Sequence, residues 1–112
     1  MGVYIDWDIS VKPVTPEQAD ELDLALEWFT YDGYTDGDTY RATFYTESIN
    51  ASDDIELMMR EFTERYPDTI AEVYLKGDCD DCPDKWLFQK GKMRTFTGTV
   101  TYTETTREED NA

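Results

Sequence analysis

The chain has 112 residues, 39% of them hydrophobic and 14% aromatic, enough for one packed core and too apolar for wholesale disorder. Twenty-six acidic against ten basic residues leave a net charge of −16, which repels nucleic acid and anionic membranes and attracts basic protein surfaces. Histidine is absent, and with it go the commonest general acid–base group, the usual serine and cysteine triads and the most frequent metal ligand.

No apolar run approaches the ~18 residues that would indicate a membrane span. The opening MGVYIDWDIS has neither a basic segment nor an apolar one that would make a secretory signal. Gly2 invites a myristoylation reading, but Asp6 stands where that pattern requires Ser or Thr. An intracellular protein that makes no membrane contact is expected.

Val3, Ile5, Trp7, Ile9 and Val11 alternate with polar residues, the period of a half-buried strand that ends at Lys12-Pro13-Val14. Thr15-Pro16-Glu17-Gln18 then carries three helix-start signals: a capping hydroxyl, a proline suited to the first turn and a glutamine to close a capping box. Leu22, Ala25, Leu26 and Phe29 define the buried stripe of this helix, which should stop near Thr30. Glu17, Asp20, Asp23 and Glu27 lie largely away from that stripe, and Glu21 sits at its border. The segment from Tyr31 to Asp38 reads as an acidic loop broken by glycine.

Tyr40 to Ile49 is rich in aromatics and threonine and predicts a second strand. A second helix is expected to open at Ser52, with Asp53 and Asp54 at the positive end of its dipole. Its stripe is Ile55, Met58, Met59, Phe62 and Tyr66, and Pro67 ends it. Glu56–Arg60 and Glu61–Arg65 are i, i+4 pairs, so this helix should neutralise itself where the first does not. Ile70 to Lys76 reads as a third strand. Lys85 to Gln89 and Lys92 to Glu104 read as a hairpin turning through Lys90-Gly91. The expected order is β-α-β-α-β-β-β. Two helices would cover one face of a mainly antiparallel sheet, an α+β domain of ferredoxin-like character over residues 1–104 with a polar tail at 105–112.

Few residues offer chemistry. Asp6 and Asp8 share a strand face and could form a carboxylate pair, but the solvent side of a strand is the simpler reading. Cys79-Asp-Asp-Cys82 has the spacing of half a zinc site, with no second pair or histidine to complete it. Asp32, Asp36 and Asp38 miss the EF-hand spacing. No catalytic residue, metal site or cofactor is expected.

The charge pattern says more. Residues 1–40 hold ten acids and one base, Lys12, whereas Lys85, Lys90, Lys92 and Arg94 form a short basic hairpin late in the chain. Such a corner could dock a negative patch on a partner or on a second copy, which leaves room for a homodimer. Duplex DNA carries one charge per ~1.7 Å, so the net charge corresponds to about 27 Å of duplex, the scale of a domain this size. Carboxylates three and four apart on the first helix would form a row spaced roughly 5–6 Å. Adaptation to high salt is the competing reading of the same charge. Tyr31, Tyr34 and Tyr40 flank the acidic loop, and tyrosine beside carboxylate suits an arginine-rich partner.

In its size, its charge and the unpaired acids from Glu17 to Asp38, the chain resembles the small acidic inhibitors that phages and mobile elements make against bacterial defence. The anti-CRISPR and anti-restriction DNA mimics are the nearest class. The resemblance is one of type, without a shared motif or a single shared fold. It implies a non-enzymatic inhibitor in the cytoplasm of a bacterial host cell. Its partner would be a basic nucleic-acid-binding protein or nuclease complex, bound without direct contact to nucleic acid. No signature residues carry over from that class; the charge and aromatic pattern itself points to Glu17, Asp20, Asp23, Glu27, Tyr31, Asp32, Tyr34, Asp36 and Asp38 as the partner-binding surface. An adaptor with a target unrelated to nucleic acid is the alternative, and it would depend on an apolar patch instead.

Overall fold

The structure, a computed structural model, describes residues 4–27, 29, 31–47, 50–77 and 82–98, with residues 31, 32 and 50 described by their backbone alone. Alternation in the first segment forms β1 (Ile5–Lys12), whose Ile5, Trp7, Ile9 and Val11 are buried while Asp6, Asp8 and Lys12 are exposed. A cis Lys12–Pro13 bond follows. The capping box forms as expected. Thr15 Oγ1 accepts from Gln18 N–H at 3.1 Å, and Gln18 Oε1 accepts from Thr15 N–H at 2.9 Å, which opens α1 (Pro16–Leu26). Ala19, Leu22 and Leu26 face inward.

Two expectations are corrected here. The helix ends at Leu26 rather than near Thr30, and the supposed loop at 31–38 is largely strand. β2 (Tyr31–Asp36) turns through Gly37-Asp38 into β3 (Thr39–Thr46), with Asp36 opposite Thr39. Gly37 adopts φ 64° at the first position of the two-residue turn, where glycine is favoured. The chain must reverse before residue 31 to reach this pairing, so the helix has no room for another turn. Phe29, assigned to the helical stripe, still reaches the core by stacking on Phe44 with ring centroids 5.1 Å apart.

The second helix, α2 (Asn50–Arg65), begins two residues before Ser52, because Ala51 is buried against the core and extends the apolar stripe upstream. Ile55, Met59 and Phe62 are buried, and Met58 and Tyr66 are partly so. β4 (Ile70–Gly77), β5 (Asp84–Gln89) and β6 (Lys92–Phe96) follow. Lys90 (φ 55°) and Gly91 (φ 77°) form the tight turn read from the sequence. The strand expected from Lys92 to Glu104 stops at Phe96, with Thr97 and Gly98 outside it, and its remainder from residue 99 lies outside the described residues, as do residues 78–81 with Cys79.

The order is therefore β-α-β-β-α-β-β-β, one strand more than expected, and the protein is an α+β fold on a six-stranded antiparallel sheet ordered β2-β3-β1-β4-β5-β6. Because β1 and β2 both run antiparallel to β3, they are parallel to each other with β3 between them. β3 and β4 flank β1 in the same way. Each helix thus joins a pair of strands split by a third. Both helices contribute to one core with the inward residues of the sheet, and among the described residues no helix packs on the opposite, open face. Among the described residues no helix is long and apolar enough to cross a membrane.

Candidate partner-binding surfaces

The two layers differ sharply in charge. The helices carry four carboxylates in α1 and five in α2 against Arg60 and Arg65. The six strands carry six acids and six bases. Between the two layers, then, the helices are net negative and the strands balanced, and the rest of the negative charge lies in the turns, connections and termini.

Within that layer some carboxylates are engaged and others are not. Glu21 accepts from Arg65 Nη1 and, at 2.6 Å, from the Tyr66 hydroxyl, tying α1 to the end of α2. This contact corrects the expected Glu61–Arg65 pair, since Arg65 reaches across to the other helix instead. The hydrogen bond to Glu21, with some loss of solvent and the nearby negative charge, raises the Tyr66 pKa above its usual 10.0. Asp23 is half-buried and accepts from the Tyr40 hydroxyl at 2.6 Å, fastening α1 to β3. Glu56 and Arg60 form the expected pair at 2.9 Å. Glu17, Asp20 and Glu27 remain on the exposed outer side of α1, as do Asp53, Glu61 and Glu64 on α2. Two leucines stand out among these acids, Leu24 at 66% and Leu57 at 57% exposure.

The residues expected to form one surface divide between two. Glu17, Asp20 and Glu27 lie on the helical side, and Asp23 joins the two layers. Tyr34 and Asp36 lie in register with Arg41 and Thr39, on the open face of the sheet. Asp38 sits in the β2–β3 turn, where its carbonyl accepts from Val14 N–H at 2.8 Å just before α1. Tyr31 and Asp32 belong to β2, but their side chains are outside the described residues. Tyr40 is fully buried, so it packs the core rather than flanking a site.

The basic hairpin is held by α2. Buried Thr63 donates to Met59 O at 2.9 Å and accepts from Gly91 N–H at 3.1 Å, and Arg60 Nη1 donates to Gly91 O at 3.4 Å. Lys85 pairs with Glu72 at 3.1 Å, a contact that raises its pKa above 10.5 against some loss of solvent. Lys85 also lies over the Tyr74 and Phe96 rings, and Arg94 lies over Phe96. Asp6 and Asp8 rim a shallow hollow with Tyr74, Lys76 and Pro83. Among the described residues no group of three or more His, Cys, Asp or Glu could hold a metal ion.

No protein-family model matches the chain, nor does any curated protein or solved structure.

Proposed function

We propose that this protein is a non-enzymatic acidic inhibitor of a basic nucleic-acid-binding protein, such as a CRISPR effector or restriction complex in a bacterial cytoplasm. It would block access of nucleic acid by presenting charge in its place. One observation carries the reading: the helical layer presents nine acids against two arginines while the strands are balanced. The partner would meet the outer faces of α1 and α2, and exposed Glu17, Asp20 and Glu27 are the groups assigned to it. Long-range attraction between such a face and a basic groove speeds association and weakens as salt is raised.

Tagged protein incubated with bacterial lysate tests this directly. A nuclease or effector retained at low salt, and displaced by added DNA or by high salt, is the expected result. The combined Glu17→Gln, Asp20→Asn and Glu27→Gln variant should lose about tenfold or more in affinity, at an unchanged melting temperature. A partner that ignores salt, DNA and these substitutions would refute charge mimicry.

Exposed Leu24 and Leu57 favour a second reading, an adaptor gripping its partner through apolar contacts. In that case Leu24→Ser and Leu57→Ser, rather than the carboxylate changes, would abolish retention.

We also propose that the fold has ferredoxin-like character. Its support is the β-α-β-β-α-β order of the first six elements with their two interleaved split units. β5 and β6 then widen the sheet on the β4 side.

A further inference from the structure

Among the described residues no helix covers the open face of the sheet, yet that face carries all five of their exposed aromatic side chains: Tyr4, Tyr34, Tyr45, Tyr74 and Phe96. A solvated sheet face is ordinarily polar. Here Tyr4 and Tyr45 meet with ring centroids 6.0 Å apart, and Tyr34, Tyr74 and Phe96 stand among charged side chains, a mixture of aromatic and charged groups suited to an interface. Register sorts this face into rows running across the strands. One row reads Tyr45, Asp6, Lys76. The next includes Thr43, Asp8, Tyr74 and Lys85. A third reads Tyr34, Arg41, Ser10, Glu72, Leu87, Arg94, and the last runs from Asp36 on β2 to Lys92 on β6.

We infer that this face is the interface of a homodimer in which two sheets stack face to face. Their two-fold axis would run parallel to the strands between β1 and β4. Rotation about such an axis keeps each row and exchanges its ends, laying β1 on the partner copy's β4, β3 on its β5 and β2 on its β6. The rows become self-complementary. Asp6 meets Lys76, Asp36 meets Lys92, Tyr34 meets the Arg94 guanidinium, and Asp8 meets Tyr74. No described like-charged pair is brought together: Arg41 meets Leu87, Lys85 meets Thr43, and Glu72 meets Ser10. Each match occurs twice, as a two-fold interface requires.

Two magnitudes bear on this arrangement. Six strands at ~4.8 Å spacing and about seven residues of ~3.3 Å rise give a footprint of roughly 650 Å² before side-chain relief. That is close to the ~800 Å² per partner of a stable interface. The net charge of −16 opposes self-association, but the strands that meet are balanced, and the helical layers, with nine acids against two arginines, end up on the two outer sides of the dimer. The two intervening sheets, about 10 Å apart, keep those layers separated by more than the ~8 Å screening length at physiological salt. The inference is independent of the charge-mimic reading, since it uses the opposite face.

Light scattering and native mass spectrometry on the full chain, at micromolar and roughly 100 µM concentrations, should find a dimer. Asp6→Lys with Asp36→Lys, and separately Lys76→Glu with Lys92→Glu, each set like charges against one another and should weaken the dimer by about tenfold or more. All four positions are exposed, so circular dichroism should report a folded chain. Asp6 and Lys76 are also register partners within one sheet, so Asp36→Lys alone and Lys92→Glu alone, which leave that pair intact, should keep the wild-type melting temperature while still weakening the dimer. Mixing the two variants restores every opposite-charge match, and a heterodimer should form from two chains that do not self-associate. A wild-type chain that is monomeric throughout overturns the inference, as does a dimer insensitive to both variants or a mixture that fails to associate. Saturable binding of a labelled single-stranded oligonucleotide by a monomer would assign the face to nucleic acid instead.

Discussion

Thr46→Val tests the junction between β1 and β3 with almost no change in shape. The Trp7 indole N–H donates to Thr46 Oγ1 at 2.9 Å, and both residues are buried, at 2% and 7% exposure. Valine fills the same volume but cannot accept, which leaves a buried donor without its partner, a loss of about 1–3 kcal/mol. With an unfolding entropy of roughly 2.1 cal/mol/K per residue, 112 residues give about 0.24 kcal/mol/K. Each kcal/mol therefore lowers the melting temperature by about 4 °C, and the variant should melt roughly 4–12 °C below wild type. Thr46→Ser keeps the acceptor and should lose distinctly less. Adding Trp7→Phe to Thr46→Val removes donor and acceptor together, and the double-mutant cycle should return a coupling of about 1 kcal/mol. Calorimetry reads all four proteins. A Thr46→Val variant within about 0.5 kcal/mol of wild type, with no coupling to Trp7, would refute the placement of this pair in the core.

Gly91 holds φ 77°, and a Cβ there would approach the Glu64 Cβ to 3.0 Å. Gly91→Ala should therefore destabilise by about 1 kcal/mol or more through the left-handed conformation alone, and chemical denaturation will show whether the hairpin depends on this turn. Tyr66 should ionise above its usual pKa in the folded protein, because Glu21 accepts from its hydroxyl. The raised value means that the associated stability is fully present below pH 10.0 and is lost as pH rises through the folded-state pKa. Phenolate absorbance should follow this titration, and Glu21→Gln should move the Tyr66 midpoint down. An unmoved midpoint would dissociate Tyr66 from Glu21.

Local signals account for much of what was legible. The alternation in β1, the Thr15–Gln18 box, the α2 stripe and the Lys90-Gly91 turn each depend on residues within a few positions of one another. β2 reads as loop although Tyr31, Gly33 and Thr35 do alternate with Asp32, Tyr34 and Asp36, and Gly37-Asp38 is a two-residue hairpin signal. Aspartate and glycine are poor strand formers, and an edge strand with one open face has little apolar patterning to offset them. Its stability comes from pairing with β3, which propensity does not register.

The candidate surface shows the same division. Net charge, the absence of histidine and the excess of acid in the first helix follow from composition and order alone, because they are sums over residues. Which carboxylates are occupied does not follow. Glu21 meets Arg65 and Tyr66, and Asp23 meets Tyr40, across separations of 17 to 45 residues. Packing the helices on one face of the sheet also sends Glu17, Asp20 and Glu27 to one side of the protein and Tyr34 and Asp36 to the other. Sequence determined the periods, caps and charge; strand order and the choice of covered face decided which charges share a surface, because both are set by contacts between residues distant in the chain.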